Sequence, residues 1–420
     1  MKQILRNLLF ISILTPLLAP AVDWPQFRGP DGTGISTEKK APLNWSRTEN
    51  VKWRTPLPSP GNSSPIVSNG RVFITCTADE GRKRSLHCFD RESGKELWVR
   101  TVDFGKVMPT HRTNPYGASS AAANDKLVVV WHGSAGLFCY NFSGKEQWKK
   151  DLGEFRHMWG YAASPVIYGD KVIMNCGPGK RVYLTSIDLA SGKTIWETDE
   201  PLTGNGEKND RNQPVGSWST PVVAKIGGND QIVCSMNTRV NGYDPQSGKI
   251  IWSCEGLKGR KGELAYSSPH IAGDICVAVG GYGGPAIGFK LGGEGDLTRY
   301  RLWRTEPNPQ SIGSGVYVGK HLYIPDAAAG TIRCLDPKTG KETWRERGSG
   351  GNYWGSMVLA AGRLYVTSQE GDTMVLAPNP EKFEKLAVNS LREKSNSTPA
   401  ISDGEIFLRT FDALYCIAEK

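Results

Sequence analysis

A chain of 420 residues with a formal charge of +9 and 22% charged residues is long enough for about two or three ordinary domains. The basic excess is spread thinly, with no block of like charges, which argues against nucleic-acid binding. The nine cysteines include no Cys-x-x-Cys pair, and the six histidines form no His-x-x-x-His or His-Glu-x-x-His pattern, so zinc knuckles, thioredoxin-type chemistry, covalent c-type haem and zinc-protease chemistry have no support.

The first element in the chain is an export signal. Lys2 and Arg6 precede the apolar run LLFISILTPLL and then Ala19-Pro20-Ala21. A basic start, a short apolar middle and an A-x-A site predict a signal peptide over residues 1–21. The run falls short of the roughly 20 residues that a membrane-spanning helix needs, and no cysteine follows it to carry a lipid. The expectation is a periplasmic or extracellular protein that does not span the membrane and whose mature chain starts near Val22. Residues 22–43 are expected to form an extended N-terminal segment, and residues 44–420 a single domain.

That domain is read from its repeats. One unit runs strand, Asp, turn, Gly-Lys, two residues, Trp: FDRESGKELW, YNFSGKEQW, IDLASGKTIW, YDPQSGKIIW and LDPKTGKETW. Gly94, Gly144, Gly192, Gly248 and Gly340 each lie four residues before Trp98, Trp148, Trp196, Trp252 and Trp344. A degenerate copy ends at Trp303, and another has Leu386 in place of Trp. A second signal alternates with the first. It is a Ser or Thr, usually followed by Pro, then an apolar pair, a Gly or Asp turn and an alternating strand. It starts at Ser64, Ser120, Ser164, Thr220, Ser268, Ser314, Ser356 and Thr398, at spacings of 56, 44, 56, 48, 46, 42 and 42 residues. Eight copies at this period predict an all-β, eight-bladed β-propeller with four antiparallel strands per blade. The last copy ends after three strands, and ENVKWRT with Trp53 is expected to supply the fourth and close the ring.

The cysteines fit the same repeat. Cys88, Cys139, Cys334 and Cys416 share one strand position, as small buried residues do. A local Cys76–Cys88 bridge is the best alternative in which two of the nine would pair.

The Asp-x-x-[Ser/Thr]-Gly-Lys-x-x-Trp units resemble the pyrroloquinoline-quinone-like (PQQ-like) repeat of quinoprotein dehydrogenases and BamB-type propellers. The opening DWPQFRGPDGTG is similar to that of exported planctomycete-type members. The resemblance covers residues 44–420 and implies the propeller fold. For the dehydrogenase branch it implies PQQ with calcium, acidic and amide ligands and a vicinal disulfide, and the chain contains no Cys-Cys pair. For the BamB branch it implies an acylated N-terminal cysteine, which is also missing.

In a propeller the loops leading into the innermost strands gather on one face. Here they are the longest loops and the richest in Arg, Asn and aromatic residues. They offer Arg112, Asn114 and Tyr116, then His157 and Trp159, then Arg211 and Trp218, then Tyr266, and finally Asn352 and Trp354 as ligand or partner contacts. His111, Gln310 and Asn396 lie in the same loops. The Gly-rich GGYGGPAIG precedes a strand-like IGFKL and is read as a hairpin, not a dinucleotide loop. No catalytic residue and no metal ligand is assigned from the sequence. The leading expectation is a monomeric, non-enzymatic scaffold binding a protein, peptide or glycan partner in the cell envelope, a BamB-like role among them. The alternative is a PQQ-dependent dehydrogenase or other quinone-binding protein.

Overall fold

The computed structural model describes residues 23–202 and 204–419. The signal-peptide expectation for residues 1–21 lies outside these. Eight blades of four antiparallel strands ring a central channel, each with its first strand innermost, and Gly295–Asp296 adds a short parallel fifth strand to the outer edge of blade 4. Blade 1 comprises Ile66–Ser68, Arg71–Ala78, Lys83–Asp90 and Glu96–Asp103. Blades 2 to 7 begin at Ala122, Val166, Val222, His270, Val316 and Val358. Blade 8 comprises Ala400–Ser402, Glu405–Arg409 and Ala413–Ile417, and its outer strand is Val51–Pro56 from the other end of the chain. The closure expected at Trp53 is therefore present, with Trp53 paired to Cys416. Helix is limited to three short 3₁₀ turns among the described residues.

Each Trp of the repeat needs a small residue beside it. Cys88, Cys139, Ser186, Gly242, Gly288, Cys334 and Cys416 stand opposite Trp98, Trp148, Trp196, Trp252, Trp303, Trp344 and Trp53. A Cβ at Gly242 would lie 2.1 Å from the Trp252 ring. At each of these pairs the register also slips by a bulge, which re-aims the indole. The recurring cysteines thus occupy a steric niche. All nine are buried and free. Cys76 and Cys88 stand opposite Ser85 and Phe73, out of register with each other, so the bridge alternative does not form.

The indole then docks on the next blade. Trp53 donates to Arg91 O (2.8 Å), Trp98 to Phe142 O (3.0 Å), Trp148 to Leu189 O (2.9 Å), Trp196 to Pro245 O (3.1 Å) and Trp303 to Pro337 O (2.7 Å). The ring lies against the Gly-Lys turn of that blade. Gly248 has φ +71°, and a Cβ there would meet Trp196 at 2.4 Å, so both the backbone and the space require Gly. Two departures follow from the same rule. Blade 5 lacks the Gly-Lys turn, and Trp252 of blade 4 turns to Gln231 Oε1 in its own blade (2.7 Å). Blade 8 has no connection between its third and fourth strands, and blade 7 has the exposed Leu386 where Trp would dock.

Residues 23–43 cross the face opposite the long loops. Trp24 exchanges hydrogen bonds with Val67 (2.9 Å), Pro25 O accepts from Ala123 N (2.7 Å), and Gln26 Oε1 accepts from Ile167 N (2.9 Å). Arg28 is buried and donates to Thr33 O (2.6 Å) and Gly315 O. Gly34 O then accepts from Leu359 N (2.8 Å). Trp24, Trp45 and Trp53 share one buried cluster with Phe407, Leu414 and Tyr365, which fastens this segment to the closing blades.

Candidate functional site

The eight Ser/Thr residues that mark the inner strands form a belt around the channel. The backbone N–H of seven of them donates to the hydroxyl of its counterpart in the next blade: Ser64 to Ser120 (2.8 Å), Ser120 to Ser164 (3.0 Å), Ser164 to Thr220 (3.1 Å), Ser268 to Ser314 (3.0 Å), Ser314 to Ser356 (2.9 Å), Ser356 to Thr398 (2.8 Å) and Thr398 to Ser64 (2.9 Å). At the crowded centre these N–H groups have no sheet partner, and an unpaired buried donor is costly. A short side chain carrying an acceptor on Cβ solves this, which is why the position repeats.

Above the belt the inbound loops enclose a funnel of about 410 Å³. Phe27 of the N-terminal segment lines its lower end. One wall is an amide cluster satisfied within the protein. Asn62 Nδ2 donates to Thr113 O (2.9 Å) and Asn114 Oδ1 (3.1 Å), Asn114 Nδ2 to Trp159 O (2.7 Å), and Asn396 Nδ2 to Asn62 Oδ1 (3.0 Å). The facing wall is aromatic. A parallel pairing of Val215–Ser217 with Glu263–Ala265 places Trp218 beside Tyr266, with ring centroids 5.4 Å apart. Trp159 lies 5.8 Å from Trp218 and stacks on Tyr282 at 5.8 Å and 22°. Tyr282 is 46% exposed at the mouth. Gln310 and Trp354 complete the lining.

His157 sits behind this wall. It is fully buried, edge-on to Trp218 at 4.8 Å, and its Nδ1 accepts the Trp159 N–H (3.0 Å). Burial lowers its pKa to about 4, so the ring is neutral and carries its proton on Nε2. That atom forms no well-shaped hydrogen bond, although the Val215 and Glu207 backbone beside it offsets some of the shift. Burial likewise raises the Tyr266 phenol.

Five of the ten residues named from the sequence line the funnel: Asn114, Trp159, Trp218, Tyr266 and Trp354. Five do not. Arg112 is exposed to solvent. Arg211 is exposed and faces Glu263 at 3.7 Å. Tyr116 donates to Met108 O (2.8 Å) and packs against Arg84. His157 backs the aromatic wall, and Asn352 O accepts from Gln369 N (2.8 Å) outside the cavity. Sequence reasoning missed Asn62, Thr113, Tyr282 and Phe27. The signal available for Tyr282 was a lone aromatic inside a glycine-rich hairpin, where its φ is +58°.

Among the described residues no Asp, Glu, Lys or Arg lines the funnel, and one histidine, His111, does; Lys261 reaches over the Tyr282 ring at the mouth, 6.0 Å from its centroid. Among the described residues no group of three or more His, Cys, Asp and Glu is arranged to hold a metal ion. No described helix is long and apolar enough to cross a membrane.

A family model described as outer membrane protein assembly factor BamB matches residues 82–346 and 328–419. No curated protein sequence matches the chain. Among solved structures, BamB from Moraxella catarrhalis superposes with a TM-score of 0.59 and 13% identity over 88% of this chain and 97% of that one. A europium-containing methanol dehydrogenase gives 0.65 and 10%, over 94% of this chain and 98% of that one. The quinohemoprotein alcohol dehydrogenase from Comamonas testosteroni gives 0.65 and 13%, over 95% and 81%. At these identities the likeness establishes the fold and leaves function to the site.

Proposed function

The chain belongs to the PQQ-repeat propeller family of the outer membrane protein assembly factor BamB, and from that premise we propose a non-enzymatic binding scaffold, exported to the cell envelope. Its partner, a protein, peptide or glycan, engages the loop-rich face as a monomeric propeller presents it. A signal peptide over residues 1–21 and a single domain over residues 44–420 are part of the same proposal. The observation that carries it is the chemistry of the funnel, which has aromatic and amide walls and, among the described residues, no Asp, Glu, Lys or Arg in its lining.

The quinoprotein alternative asks more of this site than its residues offer. PQQ is a polycarboxylate, and buried carboxylates need cations or a metal beside them. Calcium in turn needs several oxygen ligands, carboxylates among them. The funnel supplies neither, so no step through a quinone is derived. The aromatic wall around Trp159 alone favours that reading.

The test is reconstitution of the purified mature protein with PQQ and calcium, followed by absorbance spectra and dye reduction with alcohols and sugars. The expected result is no saturable quinone binding and no turnover. Saturable binding with turnover would replace the scaffold by a dehydrogenase.

A further inference from the structure

We propose that the funnel receives the uncharged end of a saccharide chain. This rests on the scaffold reading above and names the class of partner.

Three observations converge on it. First, among the described residues no Asp, Glu, Lys or Arg lines the funnel, and its one histidine, His111, lies in the loop of Thr113 and Asn114, on the amide side. A phosphate, carboxylate or ammonium carried to the aromatic wall would lose hydration with no carboxylate, ammonium or guanidinium in the lining to replace it.

Second, apart from Trp218, whose indole N–H donates to Gly160 O (2.8 Å), the aromatic wall ends in neutral polar groups that make no hydrogen bond among the described residues. The indole N–H groups of Trp159 and Trp354, the hydroxyls of Tyr266 and Tyr282 and the Gln310 carboxamide make no hydrogen bond within the described residues. A purely apolar occupant, such as a leucine or phenylalanine side chain, would strip water from these groups and return nothing. A sugar ring has an apolar C–H face with hydroxyls around its edge. It matches flat aromatic plates whose rims carry donors and acceptors. Trp354 is half-buried in the lining and makes no ring contact with another aromatic side chain among the described residues.

Third, residues of the Ser/Thr belt and Phe27 of the N-terminal segment, which crosses the opposite face, are part of the lining, so a polymer that inserts from the loop-rich face does so by its end. A peptide end would bring a terminal charge to a lining without Asp, Glu, Lys or Arg. The volume of about 410 Å³ lies within the roughly 300–1,000 Å³ of small-ligand sites.

The test uses the purified full-length mature protein and a panel of neutral gluco-, manno-, galacto- and xylo-oligosaccharides, read by intrinsic tryptophan fluorescence and calorimetry. Each is compared with a counterpart carrying a uronic acid at its non-reducing end or at its reducing end. At least one neutral series is expected to bind saturably. A uronate at the inserted end should weaken that binding by roughly tenfold or more, while a uronate at the far end should not. Trp354→Ala and Gln310→Ala should each weaken it by roughly tenfold. Trp354→Phe keeps a plate for stacking and should lose less, and the melting curve of each variant checks that it is folded. The proposal is overturned if no neutral oligosaccharide binds at millimolar concentration. It is also overturned if binding is indifferent to both Trp354→Ala and Gln310→Ala, or if uronates at either end bind as well as neutral ends. A blank panel together with no quinone turnover removes the saccharide and leaves the scaffold. Quinone turnover removes both.

Discussion

Acidification should destabilise this protein well before its carboxylates protonate, because His132, His157 and His270 are buried neutral; burial also lowers the fourth buried histidine, His87, where the hydrogen bond to Glu96 opposes the shift. Burial lowers His157 to about 4, His132 to about 3 and His270 to about 3, and Arg84 and Arg28 add repulsion at the last two. The hydrogen bonds impose the same condition. His270 Nε2 accepts the Gly315 N–H (2.7 Å) and His157 Nδ1 accepts the Trp159 N–H (3.0 Å), so a second ring proton would face a donor. Each folded pKa lies below the unfolded value of about 6.5. The unfolded chain therefore binds more protons between these values, and stability is lost as pH falls through 6.5 towards the folded pKa. At pH 5 each histidine has cost about 2 kcal/mol relative to neutral pH, and the three together about 6 kcal/mol. The assay is urea unfolding at half-unit steps from pH 7.5 to 5, followed by tryptophan fluorescence. His157→Asn, whose Oδ1 can replace Nδ1 as acceptor, should flatten the pH slope by about a third. A midpoint constant from pH 7 to 5, or a His157→Asn slope equal to that of the wild type, would refute the reasoning.

Trp53→Ala removes the plate that seals blade 8 to blade 1 and the bond to Arg91 O. It should cost about 3–5 kcal/mol in urea unfolding, with Trp53→Phe losing less and Leu97→Ala, on an exposed site, changing little. Gly242→Ala sets a methyl group 2.1 Å from the Trp252 ring and should destabilise by at least the roughly 1–3 kcal/mol of core overpacking, with altered near-UV circular dichroism as the readout. Deleting residues 44–56 uncovers the edge of Ala413–Ile417, and size-exclusion chromatography should show aggregation in place of a monomer. A stable monomer from that deletion would contradict the closure.

The architecture was legible because its determinants repeat. Blade geometry imposes a Trp, a Gly of positive φ and a Ser or Thr at the same places in successive units, so the chain states them many times. Even the departures at Trp252, whose indole turns to its own blade, and at Leu386 follow from which neighbouring turn exists. The funnel was legible only in part. Loop residues have no period, and which of them faces inward is decided by contacts remote in sequence. Trp218 and Tyr266 meet because Val215–Ser217 pairs with Glu263–Ala265, and no local pattern announces that pairing. Arg112 and Arg211 were offered as ligand or partner contacts by composition, yet neither lines the cavity, and among the described residues no other Arg, Lys, Asp or Glu does. Phe27 was unreadable as a lining residue, since its role depends on the N-terminal segment crossing beneath the ring.

The Ser/Thr belt explains how one scaffold can keep its fold while its loops change task. The hydroxyls are engaged as acceptors for the preceding blade's N–H groups, in the seven bonds described above, so substitution at these positions would expose an unsatisfied buried donor. Their chemistry is therefore tied to stability and leaves little freedom for function. The loops above the belt carry no such obligation on one wall. There, Trp159, Tyr282, Gln310 and Trp354 leave polar tips unpaired, while across the funnel Asn62, Asn114 and Asn396 bind one another. A protein that used this cavity only as packing would be expected to satisfy both walls alike. The asymmetry places the recognition chemistry on the aromatic side. Variants of Trp354 and Gln310 should consequently alter binding at small cost to stability, whereas variants of Ser314 or Asn62 should do the reverse.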